Sequence, residues 1–507
     1  MRFWENRRRV AVAASLVASG GSIVAPLLLP RPAASQEEAK APAKRLNVLF
    51  IAVDDLRPSF GVYGGPIKTP NIDRLAGRGT TFIRAYCQQA VCSPSRTSLL
   101  TGQRPDTTQV YDLVTHFRKN IPDTVTLPQY FKQNGYVSQG MGKIFHDGLN
   151  DAPSWSVPHW RLGRQIWGPE GTAIQRRNTA AAKAGETGNE NAGRRGPAWE
   201  SADMPDEHFV DGATANHAIE TLREVKEKPF FLAVGFVRPH LPFVAPKKYW
   251  DLYKESDIKL PENYQKPPKD VVPMAMHNWG ELRTYDAIPK QGPVTDEQAK
   301  KLIQGYYAAT SYMDAQVGKV LDELERLGLR ENTVVVFWGD HGWSLGEHGL
   351  WCKHTNFEDS AHAPLILAVP GQKRPGAKVE NLAEFVDVYP TLCAAAGLPV
   401  PPGLAGQSLL PSTDNPDAPT KSLAFSQYPR GGNGNRQVMG YSLRDDRYRY
   451  TEWGTIGAEL YDHQTDPHED VNIANRPESK GIIARLSRQL HEAYPGAKKQ
   501  AEEAEKK

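Results

Sequence analysis

Leu46-Asn47-Val48-Leu49-Phe50-Ile51-Ala52-Val53-Asp54-Asp55 is a β-rich apolar run that stops abruptly on two carboxylates. Two later stretches repeat the pattern: Phe230 to Val237 ahead of Arg238-Pro239-His240, and Thr333 to Trp338 ahead of Gly339-Asp340-His341. Near-continuous apolar runs of this length read as strands buried on both faces, the habit of parallel strands. Helical periods lie between them. The clearest runs from about Asp296 to Leu327, with a capping box in Thr295-x-x-Gln298, apolar positions at Leu302, Tyr306, Met313, Val317, Leu321 and Leu324, and Gly328 as the stop. Strand alternating with helix predicts an α/β fold with a large sheet sandwiched by helices. In such sheets the ligand site lies beyond the carboxyl ends of the strands, where all three polar clusters fall.

Outward from these strands, residues 45–396 read as one catalytic domain. Residues 397–420, rich in Pro, Gly, Ser and Asp, suit a linker over the surface, and residues 421–497 suit a smaller α+β subdomain. Ser422 to Tyr428, Gln437 to Leu443 and Tyr448 to Trp453 predict an antiparallel sheet, closed by a helix near Ile482 to Ala493. Residues 161–205 are polar, either a long insertion over the site mouth or a mobile loop. Residues 498–507, almost all charged or small, read as a disordered tail.

At 507 residues the chain is long enough to bury a large core. Arg2 and Arg7 to Arg9 precede an uncharged run from Val10 to Leu29 that ends in Ala33-Ala34-Ser35. Residues 1–35 therefore read as a signal peptide, by the general secretory or the twin-arginine route, and predict an exported protein, periplasmic or secreted, with no stable membrane association. Without that leader the formal charge of +3 falls to about −1. Such a near-neutral chain has no global field for nucleic acid, so an anionic substrate must be met by a local cluster of cations. The four cysteines, Cys87, Cys92, Cys352 and Cys393, are too few for a disulfide framework. Cys87, Cys352 and Cys393 read as buried small apolar side chains.

Adjacent carboxylates such as Asp54-Asp55 repel each other unless a cation or a strong hydrogen-bond network lies between them. Taken alone the pair also suits a capping or loop role. Together with Asp340 and His341 at another strand end, it forms an oxygen-rich set suited to Ca²⁺ or Mg²⁺, Ca²⁺ being favoured by a flexible shell. Lys143-x-x-His146, His240 and Lys353 add cations and imidazoles that would each be weak evidence in isolation. His348 and His362 read as structural.

Cys92-Ser93-Pro94-Ser95-Arg96, followed by Leu100-Thr101-Gly102, resembles the signature of type I sulfatases. The resemblance extends through Ala52 to Pro58, Gln103 to Thr108, Pro239 to Phe243, Asp340 to Gly349, Ser426 to Arg430 and Met439 to Ser442, and is similar to the iduronate-2-sulfatase-like branch. It implies an alkaline-phosphatase-like fold with a large mixed sheet, and a sulfuric ester hydrolase. In that family a maturation enzyme oxidises the motif cysteine to formylglycine, whose hydrate supplies the nucleophilic hydroxyl. By this resemblance one Ca²⁺ would be held by Asp54, Asp55, Asp340, His341 and an oxygen of matured Cys92, with His341 standing where many sulfatases carry asparagine. Arg96 would hold the hydrate, and Lys143 and Lys353 would pair with sulfate oxygens. His240 or Lys353 would protonate the leaving alcohol, and His146 would take a proton as sulfate is released. Only a geminal diol permits that release, which is the chemical reason for converting a cysteine.

The implied partners are a formylglycine-generating maturation enzyme and a sulfated oligosaccharide or polysaccharide, the branch favouring the 2-O-sulfate of a uronic acid. Trp343, segment 161–205 and Arg436-Gln437 are candidates for the sugar subsite. Two other readings stand beside this one: a phosphonate or phosphate ester hydrolase of the same superfamily, and an inactive sulfated-glycan-binding homologue.

Overall fold

In the computed structural model, which describes residues 45–163, 166–184, 196–431 and 437–505, the first apolar run is strand β1 (Asn47–Val53), buried along its whole length. It belongs to a seven-stranded sheet with β2 (Thr80–Phe82), β3 (Val137–Gly142), β4 (Phe230–Phe236), β5 (Thr333–Gly339), β6 (Leu365–Ala368) and β7 (Ala377–Val379), in the spatial order β7-β2-β6-β5-β1-β4-β3. Strands β3, β4, β1 and β5 run parallel, and β6 runs antiparallel to both β5 and β2. The sheet is thus mixed, as the resemblance implied.

The register sets the site. Val53 lies opposite Phe236 on one side and Gly339 on the other, and Gly142 lies opposite Gly235. The residues that follow each strand therefore leave the sheet at one level. Lys143 is brought in tightest: its amide donates to Gly235 O at 3.0 Å, and a Cβ on Gly235 would stand 2.2 Å from Lys143 O. Only glycine allows that approach.

Period-two alternation divides β1 between two cores. Leu49, Ile51 and Val53 pack with Ala215 and Leu222 of helix α3 (Val210–Val225) and with Leu302, Met313 and Val317 of α4 (Asp296–Arg326). Val48, Phe50 and Ala52 pack with Leu99 and Leu100 of α1 (Cys92–Thr101) on the other face. Helix α4 opens on the expected Thr295/Gln298 capping box, and Gly328 follows it at φ +68°.

The segment 161–205 contains helix α2 (Pro169–Lys183), started by Glu200, whose carboxylate accepts from the amides of Gly168 at 2.9 Å and Gly171 at 3.0 Å. Its residues 164–165 and 185–195, like the leader 1–35 and Arg436, lie outside the described residues. The C-terminal sheet is antiparallel and four-stranded: β8 (Ala424–Gly431), β9 (Gln437–Arg444), β10 (Tyr448–Glu452) and β11 (Ala458–Asp462). Helix α5 (Lys480–Ala493) buries Leu486 and Leu490 against it.

One expectation is corrected here. Of the disordered tail assigned to residues 498–507, residues 506–507 lie outside the described residues, and residues 498–505 instead form the greater part of helix α6 (Pro495–Glu505). Proline at its start, the buried Ala497 beside Tyr494, and Gln500, whose amide bonds both the N–H and the C=O of Met439, tie it down. Cys87, Cys352 and Cys393 are buried and free. Among the described residues no helix is long and apolar enough to cross a membrane.

Candidate active site

Helix α1 is buried along all ten residues and begins at Cys92, beside the carboxyl ends of β1 and β5. Its N-terminus carries the positive end of the helix dipole, so Cys92 sits where developing negative charge is favoured. One turn on, the fully buried Arg96 guanidinium donates to Asp340 Oδ2 at 2.8 Å, Asp54 Oδ1 at 3.1 Å, Lys143 O at 2.5 Å and Ile144 O at 3.1 Å. It ties three strand ends together.

The three aspartates are all buried. Asp54 pairs with Lys143. Asp55 accepts from Lys353 Nζ at 3.0 and 2.9 Å. Asp340 Oδ1 accepts from the amides of Asp55 at 2.9 Å and His341 at 3.1 Å. Burial works to raise Asp54, but Lys143, His240 and Arg96 outweigh it and hold the carboxyl well below its usual range. Asp55 goes the other way: burial raises it further than His240 and Lys353 lower it, and the Asp54 charge adds to the rise. Each aspartate of the pair holds one lysine, and a cation between them would relieve their mutual repulsion.

Cys92 Sγ lies 3.5 Å from His341 Nε2 and 3.8 Å from Asp55 Oδ1. Burial, then Asp54, pushes its thiol well above the usual cysteine range, so the unmodified side chain is a protonated, poor nucleophile. His341 Nδ1 faces Gly342 O at 2.9 Å. A carbonyl only accepts, so Nδ1 carries a proton, and Nε2 faces Cys92 Sγ together with Asp55 Oδ1 at 3.3 Å and Asp340 Oδ1 at 3.6 Å. Two groups of potential ligand atoms overlap here, Asp54, Asp55, Cys92 and His240 with Cys92, Asp340 and His341. The carboxylate oxygens of Asp54, Asp55 and Asp340 with the imidazole of His341 or His240 are a donor set that fits Ca²⁺ and disfavours thiolate-rich zinc chemistry.

The two histidines expected to move protons are held in opposite states. His240 Nδ1 faces Leu241 O at 2.6 Å while Nε2 faces Glu281 Oε1 at 3.1 Å and Asp55 Oδ2 at 3.7 Å. The oxygens that face its two nitrogens all accept, and although burial and the Lys353 charge lower its pKa, Asp55, Asp54 and Glu281 raise it overall. His240 is a donor on both nitrogens. His146 is pushed down to about 4 by burial and by Lys143, and its buried Nδ1 has no protein partner.

Strain marks the same place. Asp55 (φ 57°), Cys352 (φ 74°) and His354 (φ 86°) all occupy left-handed backbone without being glycine. The last two flank Lys353, so the backbone is bent to present that ammonium.

The structure thus brings Asp54, Asp55, Cys92, Arg96, Lys143, His240, Asp340, His341 and Lys353 together, with His146 at the rim. Trp343 is a correction. It is 1% exposed, packed on Phe243 and Tyr306 with Lys353 Nζ 4.9 Å above its ring, so it supports the lysine and offers no face to a sugar. Arg238 is spent on backbone carbonyls of Val244, His240 and Ile166. Sequence reasoning missed Glu281, which contacts Lys353 and His240, and the Tyr306 hydroxyl, which donates to Asp55 O at 2.7 Å and accepts from the Arg57 amide at 2.9 Å. Neither carried a signal: Glu281 lies in an irregular stretch, and Tyr306 read as one apolar position of a helix. A separate acid and histidine cluster, Glu358, His463 and Glu469, is closed by the Arg449 guanidinium, which pairs with both glutamates.

Comparison with known proteins agrees with this arrangement. The sulfatase family model matches residues 46–398, and the model for the C-terminal part of N-sulphoglucosamine sulphohydrolase matches residues 346–495. Iduronate 2-sulfatase of Mus musculus is 35% identical, covering 89% of this chain and 95% of its own. Of the solved structures, a phosphonate monoester hydrolase from Silicibacter pomeroyi has a TM-score of 0.69 at 24% identity, covering 88% of this chain and 94% of its own. A 2-O GAG sulfatase has a TM-score of 0.69 at 24% identity, covering 90% and 93%. The structural likenesses show the fold. With the family model spanning the whole central sheet and a curated relative matched over nearly its full length, the chain belongs to the sulfatase family, in an iduronate-2-sulfatase-like branch of the alkaline phosphatase superfamily.

Proposed function

We propose that this sulfatase releases sulfate from a sulfated saccharide, and that its substrate is the 2-O-sulfate of a uronic acid or a similar glycan sugar. The single observation that carries the reaction is geometric: Lys143 and Lys353 converge with His240 and His341 on residue 92 at the start of α1, beside three buried aspartates. His240 and His146, two titratable groups driven apart, suit an acid and a base. The likeness to iduronate 2-sulfatase supports the substrate.

Lys143 and Lys353 would bind and orient the sulfate oxygens, each ammonium being held in place by one aspartate. His240 would donate from Nε2 to the departing alcohol, and His146, neutral, would accept a proton on the other side. Arg96 would fix the start of α1 against the strand ends, so that residue 92 faces the sulfur. Asp54, Asp55, Asp340 and His341 would hold Ca²⁺, which supplies positive charge to polarise the ester oxygens. Formylglycine made from Cys92, once hydrated, would supply the hydroxyl that a protonated thiol cannot. The pattern Cys92-x-Pro94-x-Arg96 supports recognition by a formylglycine-generating enzyme, and the basic, apolar leader supports export.

The test is sulfate release by matured protein from defined saccharides, among them 2-O-sulfated uronic-acid disaccharides and algal oligosaccharides, with a phosphate ester alongside. Release from the uronic-acid series alone is the expected result. Release only from another series would replace the substrate, and turnover of the phosphate ester alone would replace the reaction.

A further inference from the structure

Glu281 enters the site from outside the strand ends, on the irregular stretch 261–294 that precedes α4. Both its oxygens face groups assigned to the reaction: Oε2 lies 2.9 Å from Lys353 Nζ, and Oε1 lies 3.1 Å from His240 Nε2. Its charge is well stabilised, since Lys353 and His240 more than offset the cost of burial.

The stretch that carries it is fixed from two directions. The C-terminal sheet and the loop that follows it hold its first half: Lys269 N donates to Asp470 O at 2.8 Å, Asn472 Nδ2 donates to Asp270 O at 2.9 Å, and Arg430 Nε donates to Met274 O at 2.8 Å. Its second half is folded on itself by Arg283, which donates to the carbonyls of Asn278 at 2.8 Å, Pro289 at 2.7 Å and Gly292 at 2.9 Å while stacking 3.4 Å over the buried Trp279. A carboxylate on a stretch held this firmly, whose ion pairs among the described residues are with the two reacting groups, has a placed charge.

We propose that Glu281 is a positioning residue for sulfate-ester cleavage, and that it also limits the affinity of the pocket for free sulfate. The inference rests on the sulfatase reading above. By accepting from Lys353 Nζ and His240 Nε2, Glu281 fixes the distance between the ammonium that grips the sulfate and the imidazole, whose one Nε2–H would pass from the Glu281 carboxylate to the alcohol as it departs. Its negative charge lies beside a pocket that also holds Arg96 and Lys143. Without it the same cations would grip the dianionic product harder. Tight sulfate and slow turnover would then go together, because binding that is as strong for product as for the transition state does not raise kcat.

Matured wild type, Glu281→Gln and Glu281→Asp would be compared for kcat and KM on a turned-over sulfate ester, and for the Ki of inorganic sulfate. Glu281→Gln should lower kcat about 10- to 100-fold, as removal of a group that orients its neighbours does, and should tighten sulfate on the order of tenfold. Glu281→Asp keeps the charge and should leave Ki within about threefold of wild type, which also covers the case of a poorly folded Gln variant. Unchanged kcat and Ki in Glu281→Gln would overturn the inference. So would a loss of kcat with weaker sulfate binding, the signature of structural support alone. Should wild type release sulfate from no ester, the reading of the reaction fails, and calorimetric titration with inorganic sulfate still decides on Glu281: tighter binding by Glu281→Gln supports its role, equal or weaker binding removes it.

Discussion

Arg96 shows how much one side chain in this site is asked to do. Its guanidinium spans two carboxylates and two carbonyls on three strand ends, and none of it reaches water. A lysine keeps the charge and loses the planar fork. Arg96→Lys should therefore lower kcat/KM by about 10²-fold or more, and urea unfolding should show a loss of about 1–3 kcal/mol from the buried acceptors that a single ammonium leaves unpaired. Wild-type kcat/KM in that variant would remove Arg96 from the reacting centre. Cys92→Ala and Cys92→Ser should both abolish sulfate release in a host whose maturation enzyme accepts only cysteine, and retained activity in the alanine variant would refute residue 92 as nucleophile precursor. At this scale the readable residues were those in short motifs at strand ends, where a local pattern suffices. Glu281 was unreadable because both its partners are distant in sequence. Trp343 was misread because its position after Asp340-His341 suggested the pocket mouth, whereas its ring turns inward under Lys353.

Helix α4 joins element to site through one hydroxyl. Tyr306 donates to Asp55 O and accepts from the Arg57 amide, closing the turn in which Asp55 takes its left-handed conformation. Tyr306→Phe would leave a buried carbonyl and a partly buried amide unpaired, a cost of about 1–3 kcal/mol. Denaturant unfolding should read that loss, and kcat should fall with it as Asp55 loosens; full stability and full activity together would show that the turn needs no such brace. The long elements were legible because apolar period and capping chemistry agree, as in the Thr295/Gln298 box. Strand β11 escaped notice because Ala458–Asp462 carries two acids in five residues, one of which, Glu459, points into an apolar cluster. Helix α6 escaped because its burial falls on Ala497 and Gln500, residues that look like tail composition until their contacts with Tyr494 and Met439 are seen.

At the scale of the whole molecule, the C-terminal sheet is part of the active-site support. Gln427 N of β8 donates to Gln88 O at 2.9 Å just ahead of Cys92, and its side chain donates to Asp106 Oδ1 at 2.8 Å. Below the stretch that delivers Glu281, Glu459 of β11 is buried in the cluster of Val272, Ala275, Phe357 and Trp453. Its carboxyl accepts from Trp453 Nε1 at 2.9 Å and Tyr461 OH at 2.8 Å, and among the described residues no ion pair reaches it. Burial raises it to about 7, more than the hydrogen bonds from Trp453 and Tyr461 lower it. The folded value lies above the ordinary 4.5, so the folded chain holds a proton that the unfolded chain has released across that window. Stability from this group is complete below pH 4.5 and is lost as pH rises to about 7. Glu459→Gln keeps the shape, and the Tyr461 hydroxyl can turn to accept from the new amide. The variant should match wild type most closely at about pH 5 and gain on it toward about pH 8, by roughly 3 kcal/mol at most. Unfolding curves of the two proteins at both pH values test this, and profiles that stay parallel would show that Glu459 is ionised in the fold throughout. A gain with rising pH would show that the buried Glu459 carboxyl, under the stretch that delivers Glu281, is one group through which rising pH weakens the fold.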